Sequence, residues 1–218
     1  MLRETLYYLK KRVQKGKVKF EILDADKKLI KSIPASKRKG INKIFWDMRS
    51  NPPRVASGVK VDVSGFVSPV CKEGTYYARI TINDMTEETK FELKYDPKCA
   101  HSAEDRALKQ KATDEVFAMQ EELAFVSDKL KDVQDNINNR ANNNEKMKDI
   151  KKQADVLSKK IDGILVTLAA SIEGTNITGE EKLREKIGML YASLAGYIGR
   201  PTDSQMDRTK GLRKELED

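Results

Sequence analysis

The chain has 218 residues, 39% of them hydrophobic and 35% charged, with a formal net charge of +8. A chain of that length buries roughly 70% of its unfolded surface on folding, so neither structural metals nor many disulfides are required. The composition excludes a disordered chain, and the longest apolar run, Ile164 to Ala170 with a threonine in it, is far short of the roughly 18 residues of a membrane-spanning helix.

The charge is uneven. Up to Pro97 there are 21 Lys and Arg against 12 Asp and Glu; from Lys98 onward there are 21 against 22. A basic half joined to a near-neutral half predicts two units. It also raises an acidic polymer or nucleic acid as a partner of the first.

The opening MLRETLYYLKKR has no apolar signal segment and enters strand-like sequence at Leu6–Arg12. Val18, Phe20 and Ile22 then alternate with Lys17, Lys19 and Glu21, and Ile44, Trp46 and Met48 with Lys43, Phe45 and Asp47. Tyr76, Ala78, Ile80 and Ile82 oppose Tyr77, Arg79 and Thr81, and Phe91, Leu93 and Tyr95 oppose Lys90, Glu92 and Lys94. Period two of this kind marks half-buried antiparallel strands. Turn chemistry separates them at residues 24–28 (DADKK), 34–40 (PASKRKG) and 83–86 (NDMT). About seven short strands before residue 97 predict a small β-sandwich.

Beyond Pro97 the period becomes helical. Val116, Met119, Leu123, Val126, Leu130, Val133 and Ile137 are spaced 3,4,3,4,3,4, and Met147, Ile150, Ala154, Leu157, Ile161, Ile164 and Leu168 repeat the series. Asn-rich residues 138–144 between them predict a reversal, giving an antiparallel hairpin that closes a bundle or recruits a partner helix. Thr178 with Glu181, and Thr202 with Gln205, match the capping box. The first opens a helix carrying Leu183, Ile187, Leu190, Leu194 and Tyr197; the second opens one with Met206, Leu212 and Leu216. The second unit therefore reads as three or four helices.

Few residues invite a chemical reading. Trp46, the one tryptophan, shares a strand face with Ile44 and Met48 and so fills the space between two sheets, while Asp47 and Arg49 lie on the other face and pair with each other or with a turn. His101, the one histidine, stands just before a helix with nothing to place it in a pocket, so a Ser-His-Asp triad has no support. No phosphate-cradling glycine motif occurs, no metal or cofactor is implied, and paired carboxylates cannot be picked out. A hairpin reversing at 83–86 sets Cys71 and Cys99 nearly opposite each other beyond its open end. They form one disulfide, worth roughly 3 kcal/mol in the chain-entropy model, or stay as two thiols. The basic residues are residues 36–40 (SKRKG) with Lys10, Lys11, Arg12, Lys15 and Lys17; Tyr7 and Tyr8 are the close aromatics. So few aromatics favour a solvated face over a nucleic-acid surface.

The succession YYLKK, GKVKFEILDADKKLI, GINKIFWDMR, EGTYYARITIND, FELKYDPK and LREKIGMLYASLAGYIGRPTDSQ resembles one specific C-terminal region. It is similar to the part that follows the β-propeller in large exported bacterial proteins with Asp-box (BNR-repeat) or sortilin-like propellers, described as glycosyl hydrolases. The strand and turn series also resembles Ig-like domains of the flagellar hook-capping type. The resemblance implies export, and it places any glycosidase activity in the propeller, since the Asp-box itself does not occur here. It implies structural roles for Gly40, Trp46, Asp47, Arg49, Gly74 and Tyr76, and no catalytic residue. Two positions depart from the pattern: Lys27 stands where the turn carries glycine, and Cys71 falls in a stretch commonly rich in proline.

The expectation is thus an α+β chain. An Ig-like or fibronectin-III-like antiparallel sandwich (1–97) precedes a helical bundle (98–218). It acts as a non-catalytic accessory region that docks on a propeller or binds a glycan or protein. The alternatives are a hydrolase with a cleft at the sandwich–bundle junction and a basic polymer-binding module. No membrane span is expected.

Overall fold

The computed structural model of the chain describes residues 3–142, 148–171 and 180–218. It is α+β, with six antiparallel strands in two sheets and four helices among the described residues. Strands β1 (Arg3–Leu9) and β4 (Gly40–Trp46) form one sheet; β2 (Val18–Leu23), β3 (Leu29–Pro34), β5 (Gly74–Ile82) and β6 (Met85–Leu93) form the other, in the order β3-β2-β5-β6. Alternation decides which side chains turn inward. Phe20, Ile22, Tyr76 and Ala78 from the larger sheet meet Ile44 and Trp46 from the smaller one in a single core. The first strand starts and ends earlier than its sequence suggested, because the cationic residues 10–12 leave the sheet.

Two turns differ from expectation in informative ways. Lys27 occupies the left-handed region at φ 64°, so the turn keeps the geometry that a glycine there would supply. The β5–β6 reversal is tighter than the four residues 83–86. Asn83, at φ 53°, and Asp84 make a two-residue turn that pairs Ile82 with Met85 and Gly74 with Leu93. That register slides β6 two residues relative to β5 from the pairing that brought Cys71 opposite Cys99. Both cysteines are free thiols, the second of the two alternatives open from the sequence.

The chain divides into two compact units, residues 1–51 with 68–100 and residues 52–67 with 101–218. Residues 52–67, counted with the sandwich when the boundary is drawn at 97, belong to the helical unit. This strap includes a short 3-10 turn at Val63–Phe66 and does not pair with the sheets. Its attachment is polar and deep: buried Gln120 donates to the buried Ser64 hydroxyl (2.6 Å), and the Tyr191 hydroxyl donates to the Val67 carbonyl (2.8 Å). Arg184 lies in the first turn of a helix, where the dipole disfavours a cation. It is nonetheless buried, because its guanidinium donates to the carbonyls of Ala56 (2.6 Å) and Lys60 (2.9 Å) and to Glu185 (2.6 Å).

Helices α1 (Ala103–Asn142), α2 (Lys148–Leu168), α3 (Leu183–Gly196) and α4 (Asp203–Glu217) make up the rest of this unit. Ala112, Val116, Met119 and Leu123 of α1 pack with Leu183, Ile187, Leu190 and Leu194 of α3 and Leu212 of α4. Tyr197, expected on the same stripe, lies past the end of α3 and is exposed. The capping box at Thr202 is formed: Gln205 N donates to Thr202 Oγ1 (3.2 Å) and Thr202 N to Gln205 Oε1 (3.0 Å). The other, at Thr178, lies outside the described residues, as do most of loop 173–180 and the heptad position Met147. Of the Asn-rich residues 138–144 expected to reverse the chain, 138–142 are helical in α1 and 143 and 144 lie outside the described residues. α1 is roughly 60 Å long, and α3, at roughly 21 Å, reaches only part of it. Along the α1–α2 pair only one position of each heptad faces inward: Val126, Val133, Leu157 and Ile164 are exposed, whereas Ser127, Ala141, Ala154 and Ile161 are buried.

Candidate functional site

The motif around Trp46 is built inward on one face and outward on the other. Trp46 retains 2% of its exposure, with its ring centroid 5.7 Å from Tyr76 and 6.0 Å from Phe91. Its indole Nε1 donates to the Arg49 carbonyl (2.9 Å). Met48 at φ 56° turns the chain so that this bond can close. On the outer side, Asp47 accepts from Lys31 Nζ (3.0 Å) and from the Arg49 backbone amide (3.2 Å). The guanidinium of Arg49 donates to the Ser68 carbonyl (2.5 Å), and its backbone bridges Val70. Asp47 and Arg49 are thus joined through the backbone, and the guanidinium clips the returning chain.

Gly40 (φ 96°) and Gly74 (φ 148°) open β4 and β5, each in backbone space that side chains avoid. The Tyr76 hydroxyl donates to the Lys72 carbonyl four residues upstream (2.8 Å). Beside it lies the Cys71 thiol, pushed up to about 12, first by burial and then by the Asp47 carboxylate. A thiol held protonated in this way is a poor nucleophile at neutral pH.

An open cavity of about 380 Å³ lies on this side of the first unit, lined by Asp47, Arg49, Cys71, Glu73, Tyr95 and Asp96 among others. Trp46 does not line it. Two of its acids already hold protein groups: Asp47 as above, and Asp96, whose Oδ1 accepts the Lys98 amide (2.9 Å). His101 falls at the start of the helical unit, where its carbonyl accepts from Arg106 (2.7 Å). Among the described residues no group of three His, Cys, Asp or Glu is placed to hold a metal ion, and no helix is long and apolar enough to cross a membrane.

The basic residues converge where the sequence could not show it. The β1–β2 loop and the β3–β4 loop are tied together by Val13 N donating to the Lys37 carbonyl (3.1 Å) and Lys37 Nζ donating to the Gly16 carbonyl (2.7 Å). The β5–β6 turn joins them through Asn83 N and the Lys17 carbonyl (3.3 Å). Tyr7 points inward, its hydroxyl donating to the Ser36 carbonyl (2.6 Å). Tyr8 points outward opposite Ile41, and both are exposed.

Sequence reasoning missed the buried Arg184 and its strap. The available signal was a cation in the first turn of a helix, which needs a reason other than the dipole. No family model, curated protein or solved structure matches this chain.

Proposed function

We propose that the chain is a non-catalytic accessory region of a larger exported protein, following a β-propeller of the Asp-box or sortilin-like kind, and that its first unit is an Ig-like sandwich. In this role it docks on the propeller or binds a glycan or protein. The observation that carries the reading is the use to which the shared motif residues are put. Trp46, Asp47 and Arg49 direct their polar groups to backbone carbonyls, a backbone amide and Lys31. These are the contacts of a clip that closes a core. The Tyr76 hydroxyl bonded back to Lys72 supports the Ig-like assignment, because such domains fix a corner in this way.

The alternative, a hydrolase, draws on the acid-bearing cavity beside Asp47. Assays on a panel of glycosides decide between them. The expected result is no turnover above the blank for the wild-type chain. Turnover that disappears in Asp47→Asn with Arg49→Lys, while the Trp46 emission of the folded state is kept, would replace the accessory reading with the enzyme. The upstream coding sequence tests the context: a propeller and an export signal are expected there.

A further inference from the structure

Apart from Lys37, whose ammonium ties two loops, the cations at this end of the first unit have no internal partner for their charge among the described residues. Lys10, Lys11, Arg12, Lys15, Lys17, Lys37, Arg38 and Lys39 are all exposed, and residues 10–17 and 35–39 contain no Asp or Glu. The nearby β5–β6 turn adds the single acid Asp84. Among the described residues no ion pair engages any of the eight. Elsewhere in the same unit, Lys19, Lys27, Lys31, Lys43, Arg79 and Lys94 each have a carboxylate partner. Two loops held together by hydrogen bonds therefore concentrate like charge, which opposes folding and favours an anionic partner.

We propose that this tip, with Tyr8 and Ile41 at its rim, binds an acidic polysaccharide carrying carboxylate or sulfate groups. The inference rests on the accessory, ligand-binding reading above and names the class of ligand. Single-stranded nucleic acid would need a track of stacking aromatics among the cations. Here Tyr7 is committed to the interior, Tyr8 alone stands at the tip, and Phe45 lies four residues beyond Ile41, roughly 13 Å away along the strand. Six of the eight cations are lysines, which act as mobile point charges and lack the planar fork that grips phosphate in two places. A sugar chain needs less: Tyr8 and Ile41, paired across β1 and β4 and both exposed, offer apolar surface for the C–H face of a ring, and the ammonium groups meet its anions.

The test measures binding of the whole chain to a fluorescent heparin oligosaccharide and to oligogalacturonate, against neutral dextran and an oligothymidine of equal charge. Binding to at least one acidic glycan is expected, weakening roughly fifty- to a hundredfold between about 50 and 200 mM salt if about four cations engage. The triple variant Lys10→Glu, Arg12→Glu, Lys39→Glu should lose at least tenfold and flatten that salt dependence; Lys37 is left intact because it ties the loops. Tyr8→Ala should weaken glycan binding without changing the salt slope. The proposal is overturned by absence of glycan binding at low salt, by an unaffected triple variant, or by tighter binding of oligothymidine that Tyr8→Ala impairs. An upstream sequence without propeller or export signal would remove the accessory reading and leave the binding result standing.

Discussion

At the scale of single residues, burial separates what looks reactive from what is. Cys71 sits beside Asp47, Arg49 and Tyr76, a neighbourhood that suggests chemistry, yet desolvation holds its thiol up at about 12. In the folded chain at pH 8 it should react with a thiol reagent on the order of a hundredfold more slowly than in denaturant. Equal rates would mean that the site is open to water. The sign for stability follows from linkage. A thiol whose folded value exceeds its unfolded value of about 9 contributes fully below pH 9, and that contribution is lost as pH rises from about 9 towards 12. The urea midpoint of the wild type should therefore fall more steeply over that range than that of Cys71→Val. Trp46 was legible at this scale because alternation alone puts it on the face of Ile44. Its bond to the Arg49 carbonyl was not, since it depends on the left-handed backbone at Met48, where glycine is absent.

At the scale of elements, period was a good guide to type and a poor guide to extent. The 3,4 spacing of α1 and α2 predicts helices, and both form. The same spacing cannot say which positions of each heptad face the neighbouring helix: Val126 and Val133 are exposed, while Ser127 and Ala141 of the same helix are buried. Leu123→Ala, in the covered part, should cost about 2–5 kcal/mol in chemical denaturation. Val133→Ala, at an exposed position of the same 3,4 series, should cost less than about 1 kcal/mol. Similar losses at both positions would show that Val133 is also packed in solution. Asn-rich residues 138–142 illustrate the opposite limit. A weak local preference for turns gives way where one helix continues from a well-packed half. The β5–β6 register was missed by two residues for a local reason, since Asn83 accepts positive φ and permits the shortest hairpin.

At the scale of the molecule, the strap changes what counts as a separable part. Residues 59–63 (VKVDV) alternate like a strand, yet Val59, Val61 and Val63 are exposed and the segment is fixed through Ala56, Ser64 and Arg184. Nothing in local pattern predicts that attachment, because its partners are 56 to 128 residues away. A fragment starting at residue 98 would contain all four helices but leave the buried Arg184 without two of its acceptors, a loss of several kcal/mol. Its helical circular dichroism should melt at a clearly lower temperature than that of the full chain. An unchanged melting temperature would make the strap an ornament.

Because the polypeptide leaves the first unit at residue 51, returns at 68 and leaves again at 100, the two units are stitched and not strung. One cut by a protease between residues 57 and 60 would sever the backbone without freeing either product. Strand β2 on the N-terminal piece would remain hydrogen-bonded to β5 on the other, and Ala56 and Lys60 would be left to hold opposite shores of the break through Arg184. Such a clipped molecule should migrate as one particle under native conditions and as two bands once unfolded.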